Sequence, residues 1–481
     1  MRPNIIFFLV DGLRADQCFG KDKTSSTPNI DSLRKKGTYF TNAFTSVDGT
    51  IVSLNTIFNS HFQVGDAARY QKITLNENNL IDTLKKIGYH VYGTLPNFAS
   101  FNALLEHFEN KNPDLTENSE HSKGDPIDPI AAQFLGQKTE GSQSEFERYR
   151  ATLPTGLAEK IIRLLKSEEK QEPYFCYFHA FDLHPLREGK KPIGIGDFDN
   201  EKFGVGLYER TVSFIDHELG KILEHIDLDN TILILTSDHG ERIPYDDQSA
   251  VDFEPKLEAS KKIGLKILPK ATHKVGGQFL DKMRKSVGKR KLNKSNEKLT
   301  NYQKRSRETF DDVSLFDEIL HVPLLFANDH INSRIVSDPV HHTDILPTLC
   351  ELVNIDLNHA IHGRSLIPLS EGKKIEEKPM YLRTRPYIDP KPDERDSVGI
   401  RTSNYKYFRS AYDAKENVHL YDLKNDPYEN NNIAETNKEL VTEFEKKILQ
   451  LEKDNFSQYA EKIPEKELQR ISNELKRLGY M

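Results

Sequence analysis

The chain has 481 residues, 36% of them hydrophobic, which is enough for a sizeable core and predicts one large domain with an appendage, or two domains. Its three cysteines are far apart, which excludes a disulfide scaffold and fits a reducing compartment, and the net charge of −7 hides a strong local asymmetry. No run reaches the roughly 18 apolar residues of a membrane span, and "MRPNIIFFLVDG" turns polar too soon for a secretory signal, so we expect a cytoplasmic protein.

Short apolar runs alternate with helical patterns along most of the chain. The first run, Ile5–Val10, ends at Asp11-Gly12 and is followed by the helical stretch "TPNIDSLRKKGTYF". The same alternation returns at "NLIDTLKKIGYHVYGTL", at "GLAEKIIRLLKSEEK" with "YFCYFHAFDLH", at "TILILTSDHG" and at "HVPLLFAND". This alternation predicts an α/β fold with a mostly parallel central sheet and helices on both faces.

Two segments interrupt the alternation. Residues 108–150 are rich in polar residues and proline and predict a long loop. Residues 254–308 are strongly basic, and this basic insertion is either a solvated surface segment or a patch for an anionic partner such as a membrane surface, a lipid phosphate or a polyanionic glycan. Nucleic acid is not expected, because no nucleic-acid-binding motif accompanies the charge.

Three of the apolar runs end in acids or histidines. Asp11 follows the first run, Asp182 and His184 follow the third, and Asp238 and His239 follow the fourth. Parallel sheets place ligands at the carboxyl ends of their strands, so these side chains are expected to converge. An adjacent Asp and His can reach one metal ion, and a mixed set of oxygen and nitrogen ligands suits Zn or Mn better than Ca. The alternative role is a helix cap or turn residue for Asp11, and a structural pair in a loop for Asp238 and His239.

Thr50 lies directly after Gly49 and before a helical pattern of apolar residues. The first turn of a helix favours an anion, because its free amides and the helix dipole are positive there. The hydroxyl of Thr50 is therefore either an ordinary N-cap, which the local sequence favours, or a nucleophile. A nucleophilic role requires a divalent cation that lowers the pKa of the hydroxyl.

A set of motifs resembles the sulfatase branch of the alkaline phosphatase superfamily. "NIIFFLVDGLRAD", "FHAFDLHPL", "LTSDHGE", "LFDEILHVPLLF", "HTDILPTLCEL", "HGRSLIPL" and "LYDLKNDPYENNNIAE" follow each other in family order, from residue 3 to about residue 434. The resemblance implies an alkaline phosphatase-like fold and one divalent metal held by Asp11, Thr50, Asp238 and His239. It also implies that Thr50 is the nucleophile and that His184 lies near the transferred group.

The sequence around the nucleophile departs from the sulfatase pattern. Sulfatases carry a Cys or Ser that is oxidised to formylglycine in a CxPxR-like motif, whereas this chain has "TIVSL". Gly12 replaces the usual second acid, the lysine before "HVPL" has no counterpart, and the Lys-x-His motif near "GTLPNF" is missing, which leaves Asn97 as the polar candidate there. "GTIVSLNTIFNS" looks more like the phosphoethanolamine and phosphoglycerol transferases, which use an unmodified Thr with Zn or Mn.

Several further polar residues receive predicted roles. Asn97, Asp182 and His321 are predicted to bind substrate, and a second metal held by Asp182, His184 and His342 is an option, as in two-metal phosphatases.

Three other residues are expected to be structural. His179 is expected to stay in the core, Asp344 to have a structural role before a helix, and Arg14 to form an exposed salt bridge rather than contact a phosphate.

We therefore expect a metal-dependent hydrolase or transferase that acts on phosphate-type esters through Thr50. A sulfated threonine lacks the geminal hydroxyl by which formylglycine expels sulfate, which favours phosphate over sulfate. The substrate would be an anionic small molecule, glycan or lipid-linked compound, recruited by the basic insertion, with peripheral membrane contact as an option. The alternatives are a sulfuric ester hydrolase and a catalytically inactive homologue that binds a glycan or another partner.

The predicted organisation has three parts. A catalytic domain spans residues 1–370 and contains the basic insertion, a small α+β subdomain spans residues 371–436, and a charged helical tail spans residues 437–481.

Overall fold

The computed structural model describes residues 2–64, 72–95, 99–110, 152–153, 156–187, 192, 194–242, 300–305, 315–384 and 396–454. Asn97 lies outside these residues, as do most of the loop predicted at 108–150, most of the basic insertion and the end of the predicted tail. Of the helices in the described ranges, none combines the length and the hydropathy that crossing a membrane requires.

The described part of the chain forms a central sheet of eight strands. These are β1 (Asn4–Val10), β2 (Gly37–Phe44), β3 (His90–Thr94), β4 (Tyr174–Ala180), β5 (Thr231–Thr236), β6 (His321–Ala327), β7 (Arg334–Val336) and β8 (Val340–His341). Their order is β3-β4-β1-β5-β6-β2-β7, with β8 also paired to β2. Strand β6 is antiparallel to both of its neighbours, and the other pairs are parallel, so the predicted mostly parallel sheet is confirmed.

Strand β1 lies in the middle of this sheet, between β4 and β5. All seven of its residues are buried, as expected for a strand that is hydrogen-bonded on both edges and covered on both faces. Its apolar sequence therefore places the end of the strand, and Asp11 behind it, near the centre of the molecule. Asp11 continues the ladder, because its N–H donates to the carbonyl of Ala180 at 2.9 Å.

The α-helices fall into groups that contact one another around the sheet, with α1, α5 and α7 together and α2, α3 and α10 together. Within the described ranges the α-helices are α1 (Pro28–Leu33), α2 (Thr50–Asn59), α3 (Leu80–Lys86), α4 (Asn102–Leu105), α5 (Leu157–Lys166), α6 (His184–Arg187), α7 (Leu207–Leu223), α8 (Asn301–Arg305), α9 (Asp317–Leu320), α10 (Ile345–Leu352), α11 (Ile367–Ser370) and α12 (Lys438–Asp454). Short 3₁₀ turns include Ala15–Gln17 and His342–Asp344.

A second, antiparallel sheet follows, with strands in the order β12-β11-β10-β9. Its strands are β9 (Met380–Arg383), β10 (Ser397–Arg401), β11 (Tyr405–Ser410) and β12 (His419–Asp422). Helix α12 packs on this sheet through Phe444 and Ile448. The same hydrophobic cluster includes Phe44 and Phe62 from the first part of the chain, so the two sheets share a core. The predicted domain divisions stay a prediction.

Candidate active site

The register of the central sheet brings the polar strand ends together. Leu9 in β1 is in register with His179 in β4 and with Thr236 in β5. Side chains in register on parallel strands point to the same face, and that face recurs every second residue. Asp11 and Asp238, two residues beyond Leu9 and Thr236, therefore share a face with His179.

These three side chains form a compact buried cluster. The ligand atoms of Asp11, His179 and Asp238 all lie within 4.8 Å of one another, and Nε2 of His179 is 3.7 Å from Oδ2 of Asp11. Among the described residues, Oδ1 of Asp11, Oδ2 of Asp238 and Nε2 of His179 have no hydrogen-bond partner. Burying two adjacent carboxylates destabilises the folded protein unless a cation compensates their charge, so this cluster fits a divalent metal ion.

Thr50 and His239 are the next polar side chains that contact this cluster. The Thr50 hydroxyl donates to Oδ2 of Asp11 at 3.1 Å and lies 3.3 Å from Nε2 of His239. Nε2 of His239 is in turn 3.4 Å from Oδ2 of Asp238. Gly49 is the N-cap of α2, and Thr50 is its first residue and makes no capping bond, so the N-cap interpretation of this hydroxyl is wrong.

Both histidines are held through Nδ1, which leaves Nε2 facing the cluster. Nδ1 of His239 is 2.6 Å from the carbonyl oxygen of Gly240, and because a carbonyl only accepts, Nδ1 carries the proton and Nε2 the lone pair. Nδ1 of His179 is 2.7 Å from the hydroxyl of Tyr177. In metal sites, a hydrogen bond to the ring nitrogen that does not bind the metal fixes the orientation of the imidazole.

The two carboxylates of the cluster have opposite electrostatic surroundings. Burial, together with the nearby charge of Asp11, raises the pKa of Asp238 above its ordinary value. Burial also acts to raise the pKa of Asp11, but the neighbouring imidazoles of His179, His184 and His239 hold that pKa well below its ordinary value. Asp11 therefore ionises more readily than Asp238, and added positive charge would favour the ionised form of both.

His184 and Asp182, predicted side by side, have different surroundings. His184 opens α6 and places Nδ1 3.9 Å from Oδ1 of Asp11. Both carboxylate oxygens of Asp182 instead accept from the main-chain N–H of Leu153, at 3.0 and 3.2 Å. Burial raises the pKa of Asp182 to about 8.

The second-metal set of Asp182, His184 and His342 is not brought together. Over the described ranges, Asp11, His179 and Asp238 form the one group of three metal-ligating side chains close enough to share an ion. Nδ1 of His342 instead lies 3.1 Å from the hydroxyl of Ser53, and burial lowers the pKa of His342 to about 3.

His321, predicted to bind substrate, contacts other parts of the molecule. Its Nε2 donates to the carbonyl of Thr41 at 2.7 Å, and its ring stacks on Phe44 with centroids 5.0 Å apart. These contacts direct the side chain towards β2, and within the described residues none joins it to Thr50 or Asp11. Asn97, the other predicted substrate contact, is not described.

The remaining candidates are structural. Asp344 accepts hydrogen bonds from the main-chain N–H groups of His341 and Arg364, both at 3.0 Å, in agreement with its predicted role. Arg14 forms a salt bridge to Asp16 at 2.6 Å, but only 1% of its side chain is exposed, so the expectation of an exposed salt bridge is wrong. The bridge is buried because the segment at Tyr302 covers it.

Sequence reasoning missed His179 as a member of the cluster. A histidine inside an apolar strand pattern resembles a core residue, and His179 is indeed fully buried. Only its register opposite Leu9 shows that its ring shares a face with Asp11. No local signal in the sequence carries that register.

Comparisons with known proteins identify the family to which this chain belongs. The family model described as Sulfatase matches residues 3–355, and the model described as N-sulphoglucosamine sulphohydrolase, C-terminal, matches residues 306–454. The chain is 24% identical over 471 residues to an ulvan-active sulfatase from Formosa agariphila, an alignment that covers 90% of this chain and 76% of that protein.

Two solved structures share the fold. A 2-O GAG sulfatase superposes with a TM-score of 0.62 at 16% identity, covering 97% of this chain and 96% of that chain. The phosphonate monoester hydrolase of Agrobacterium radiobacter superposes with a TM-score of 0.60 at 16% identity, covering 95% of this chain and 97% of that chain. Because the Sulfatase model matches most of its residues, this chain belongs to the sulfatase family of the alkaline phosphatase-like superfamily.

Proposed function

We propose that this sulfatase-family hydrolase depends on a divalent metal ion and cleaves phosphate-type esters of an anionic substrate, with the hydroxyl of Thr50 as nucleophile. One observation carries the proposal. The Thr50 hydroxyl lies at the first residue of a helix and contacts both Asp11 and His239, beside a pair of buried carboxylates. A buried hydroxyl needs one acceptor, so a purely structural role does not account for the second polar partner and the two buried carboxylates.

The residues that would hold the metal ion are Asp11, Asp238, His239 and the hydroxyl of Thr50, with His179 adding a second nitrogen. Two carboxylates with two imidazoles favour Zn or Mn over Ca, which prefers oxygen ligands. When bound, the ion supplies positive charge that lowers the pKa of the Thr50 hydroxyl and stabilises charge on the transferred group.

The side chains of this site have separate tasks in the reaction. The Thr50 oxygen attacks phosphorus and loses its proton to Oδ2 of Asp11, which accepts the hydrogen bond of that hydroxyl. The bond from phosphorus to the leaving oxygen breaks, and that oxygen takes a proton from His184, whose Nδ1 lies 3.9 Å from Oδ1 of Asp11. Water then attacks the phosphothreonine and restores the hydroxyl; an alcohol in place of water would make the reaction a transfer.

The chemistry of the nucleophile favours phosphate over sulfate. A sulfatase formylglycine expels sulfate through its second hydroxyl, whereas the side chain of Thr50 carries one hydroxyl and forms no such geminal pair. A phosphothreonine has no need of that route, because water can attack at phosphorus. The positive end of the α2 dipole would stabilise the phosphoryl oxygens.

A sulfuric ester hydrolase acting on an anionic glycan is the second candidate. It is favoured by the similarity to the ulvan-active sulfatase, which extends over 90% of this chain, and by the fold shared with a 2-O GAG sulfatase. Under this alternative the acceptor site is the same, and the transferred group is a sulfuryl group. The basic insertion then recruits a sulfated polysaccharide by its charge.

The test is a paired assay of the purified protein with an aryl phosphodiester, an aryl phosphate monoester and an aryl sulfate, each with added Mn²⁺ or Zn²⁺. Intact mass spectrometry of wild type, Thr50→Val and Thr50→Ser accompanies the assay. We expect phosphate ester turnover and a covalent adduct in the wild type, absent in Thr50→Val and retained by Thr50→Ser. The adduct should be one phosphoryl group from the monoester, and one phosphoryl group that keeps its second ester from the diester.

Each other outcome has a defined meaning. Faster turnover of the sulfate ester supports the second candidate and contradicts the phosphate preference. Metal binding without turnover of any ester supports an inactive homologue that binds a partner. An adduct that survives in Thr50→Val contradicts the nucleophile.

A further inference from the structure

A buried hydrogen-bonded link joins the nucleophile helix to the turn that carries Asp238 and His239. Ser53 lies on α2, one turn beyond Thr50, and its hydroxyl donates to the main-chain carbonyl of Asp238 at 2.7 Å. The imidazole of His342 lies on the other side of the same hydroxyl, with Nδ1 3.1 Å away. Ser53 and His342 are buried, and neither is among the four residues predicted to hold the first metal ion, Asp11, Thr50, Asp238 and His239.

The directions of these hydrogen bonds follow from simple counting. A hydroxyl has one proton, and the carbonyl oxygen of Asp238 can only accept, so Ser53 gives its proton to Asp238. Nδ1 of His342 must then donate to the Ser53 oxygen. The hydroxyl of Thr45 approaches that oxygen as a second donor at 3.2 Å. The link therefore runs in one direction, from His342 through Ser53 to Asp238.

This link helps to set the distance between the Thr50 hydroxyl and Nε2 of His239, on which the proposed chemistry depends. Thr50 and Ser53 are three residues apart on one rigid helix, which is about 4.5 Å along its axis. The turn held by Ser53 carries Asp238 and His239, and Nε2 of His239 is 3.3 Å from the Thr50 hydroxyl. Small displacements of reacting groups are costly, since an error of about 1 Å can lower a rate by about 100-fold.

We propose that Ser53 and His342 are positioning residues that fix the nucleophile helix against the Asp238–His239 turn and thereby set metal affinity and turnover without touching the substrate. This inference rests on the proposed function, because it assumes that the turn binds a metal ion. A purely structural role would instead lower stability and leave the metal affinity of the folded protein unchanged.

The experiment is calorimetric titration of the metal-free protein with Mn²⁺, together with thermal unfolding and steady-state kinetics. We expect Ser53→Ala to weaken Mn²⁺ binding by about 10- to 100-fold, which is the usual cost of losing a residue that orients a metal ligand. We also expect kcat to fall more than KM changes. His342→Asn keeps an N–H near the position of Nδ1 and should be milder than His342→Leu.

Thr211→Val is the matched control, because the buried hydroxyl of Thr211 bonds the carbonyl of Leu207 at 2.7 Å within α7. It loses a similar bond and should bind Mn²⁺ like the wild type.

Three results would overturn the inference, and they are distinguishable. Ser53→Ala with wild-type Mn²⁺ affinity contradicts it, even when its unfolding temperature falls. Should Ser53→Ala fail to fold, equal affinities of the wild type and His342→Leu contradict it. A wild type that binds neither Mn²⁺ nor Zn²⁺ contradicts the proposed metal site itself, and this inference with it.

Discussion

Buried carboxylates at the two sheets of this protein are neutralised in different ways. At the second sheet, the ammonium of Lys406 lies 2.5 Å from Asp317 and 2.6 Å from Glu429, and it is fully buried between them. At the central sheet, Asp11 and Asp238 are equally buried, and within the described residues they face imidazoles but no Lys or Arg. Within the part of the chain that the structure describes, the first cluster carries its own cation, and the second does not.

The difference indicates which cluster is structural and which is functional. Burial acts to raise the pKa of Asp317, but Arg401 and Lys406 hold it far below its ordinary value. No Lys or Arg among the described residues neutralises Asp238, and its pKa is raised by burial and by the charge of Asp11. A cluster with a built-in cation is complete in the folded chain, whereas one without it depends on positive charge from outside. We therefore expect changes at the second sheet to affect folding and changes at the central sheet to affect chemistry.

The largest expected effect is at Thr50. Replacing it by Val keeps the shape and removes the nucleophile, so turnover should fall by about four orders of magnitude or more, as when a nucleophile is lost from other hydrolases. Urea unfolding of Thr50→Val should stay close to that of the wild type. Thr50→Ser serves as the control that keeps a hydroxyl, and activity of Thr50→Val within tenfold of the wild type would contradict the assignment.

The next effect tests the cluster at the second sheet. Lys406→Met leaves Asp317 and Glu429 buried without their shared cation and should lower the free energy of unfolding by about 3–5 kcal/mol. Mn²⁺ affinity of the folded variant should not change. Lys447→Met removes an exposed ion pair with Glu443 and should cost less than about 0.5 kcal/mol. A Lys406→Met variant as stable as Lys447→Met would remove the distinction between the two clusters.

Adding metal should stabilise the protein through the central sheet. Zn²⁺ or Mn²⁺ at 100 times its Kd should raise the free energy of unfolding of the wild type by about 2.7 kcal/mol. Asp238→Asn should lose this gain, although without metal it should be slightly more stable than the wild type, because one of two like charges is gone. Chemical unfolding with and without metal measures both, and an equal gain in Asp238→Asn would place the ion elsewhere.

The smallest expected effect is a dependence of stability on acid pH. Because the pKa of Asp317 in the folded protein lies below its unfolded value near 4, its contribution is present above that pH and is lost as the pH falls. Between pH 4.5 and pH 3 the wild type should lose about 1 kcal/mol more than Asp317→Asn. Urea unfolding at the two pH values measures the difference, and parallel losses in both proteins would show that Asp317 is not held by its cations.

Much of the fold could be predicted from the sequence, because buried parallel strands need continuous apolar runs. The runs at Ile5–Val10 and in "TILILTSDHG" are strands β1 and β5, each followed directly by the polar residues that the sequence indicated. The antiparallel direction of β6 was beyond the sequence pattern, since an apolar run is equally suited to either direction.

Within the candidate site, the sequence predicted residues at strand and helix ends but not the direction of their side chains. Asp11, Thr50, Asp238 and His239 stand next to strand or helix ends, and the structure places them within contact of one another. Asp182 also follows a strand, yet its carboxylate turns to the main chain of Leu153. Position in the sequence predicts which edge of the sheet a residue reaches, but its side-chain direction depends on its neighbours.

By itself, the sequence determined which segments are apolar strands and which polar residues follow each of them. It thereby determined the residues available at the carboxyl edge of the sheet. Only the tertiary structure decided that His179 joins Asp11 and Asp238, that His321 faces β2, and that Ser53 bonds the turn after β5. The physical reason is that strand register and helix placement are set by packing between segments far apart in the chain, and no local pattern records them.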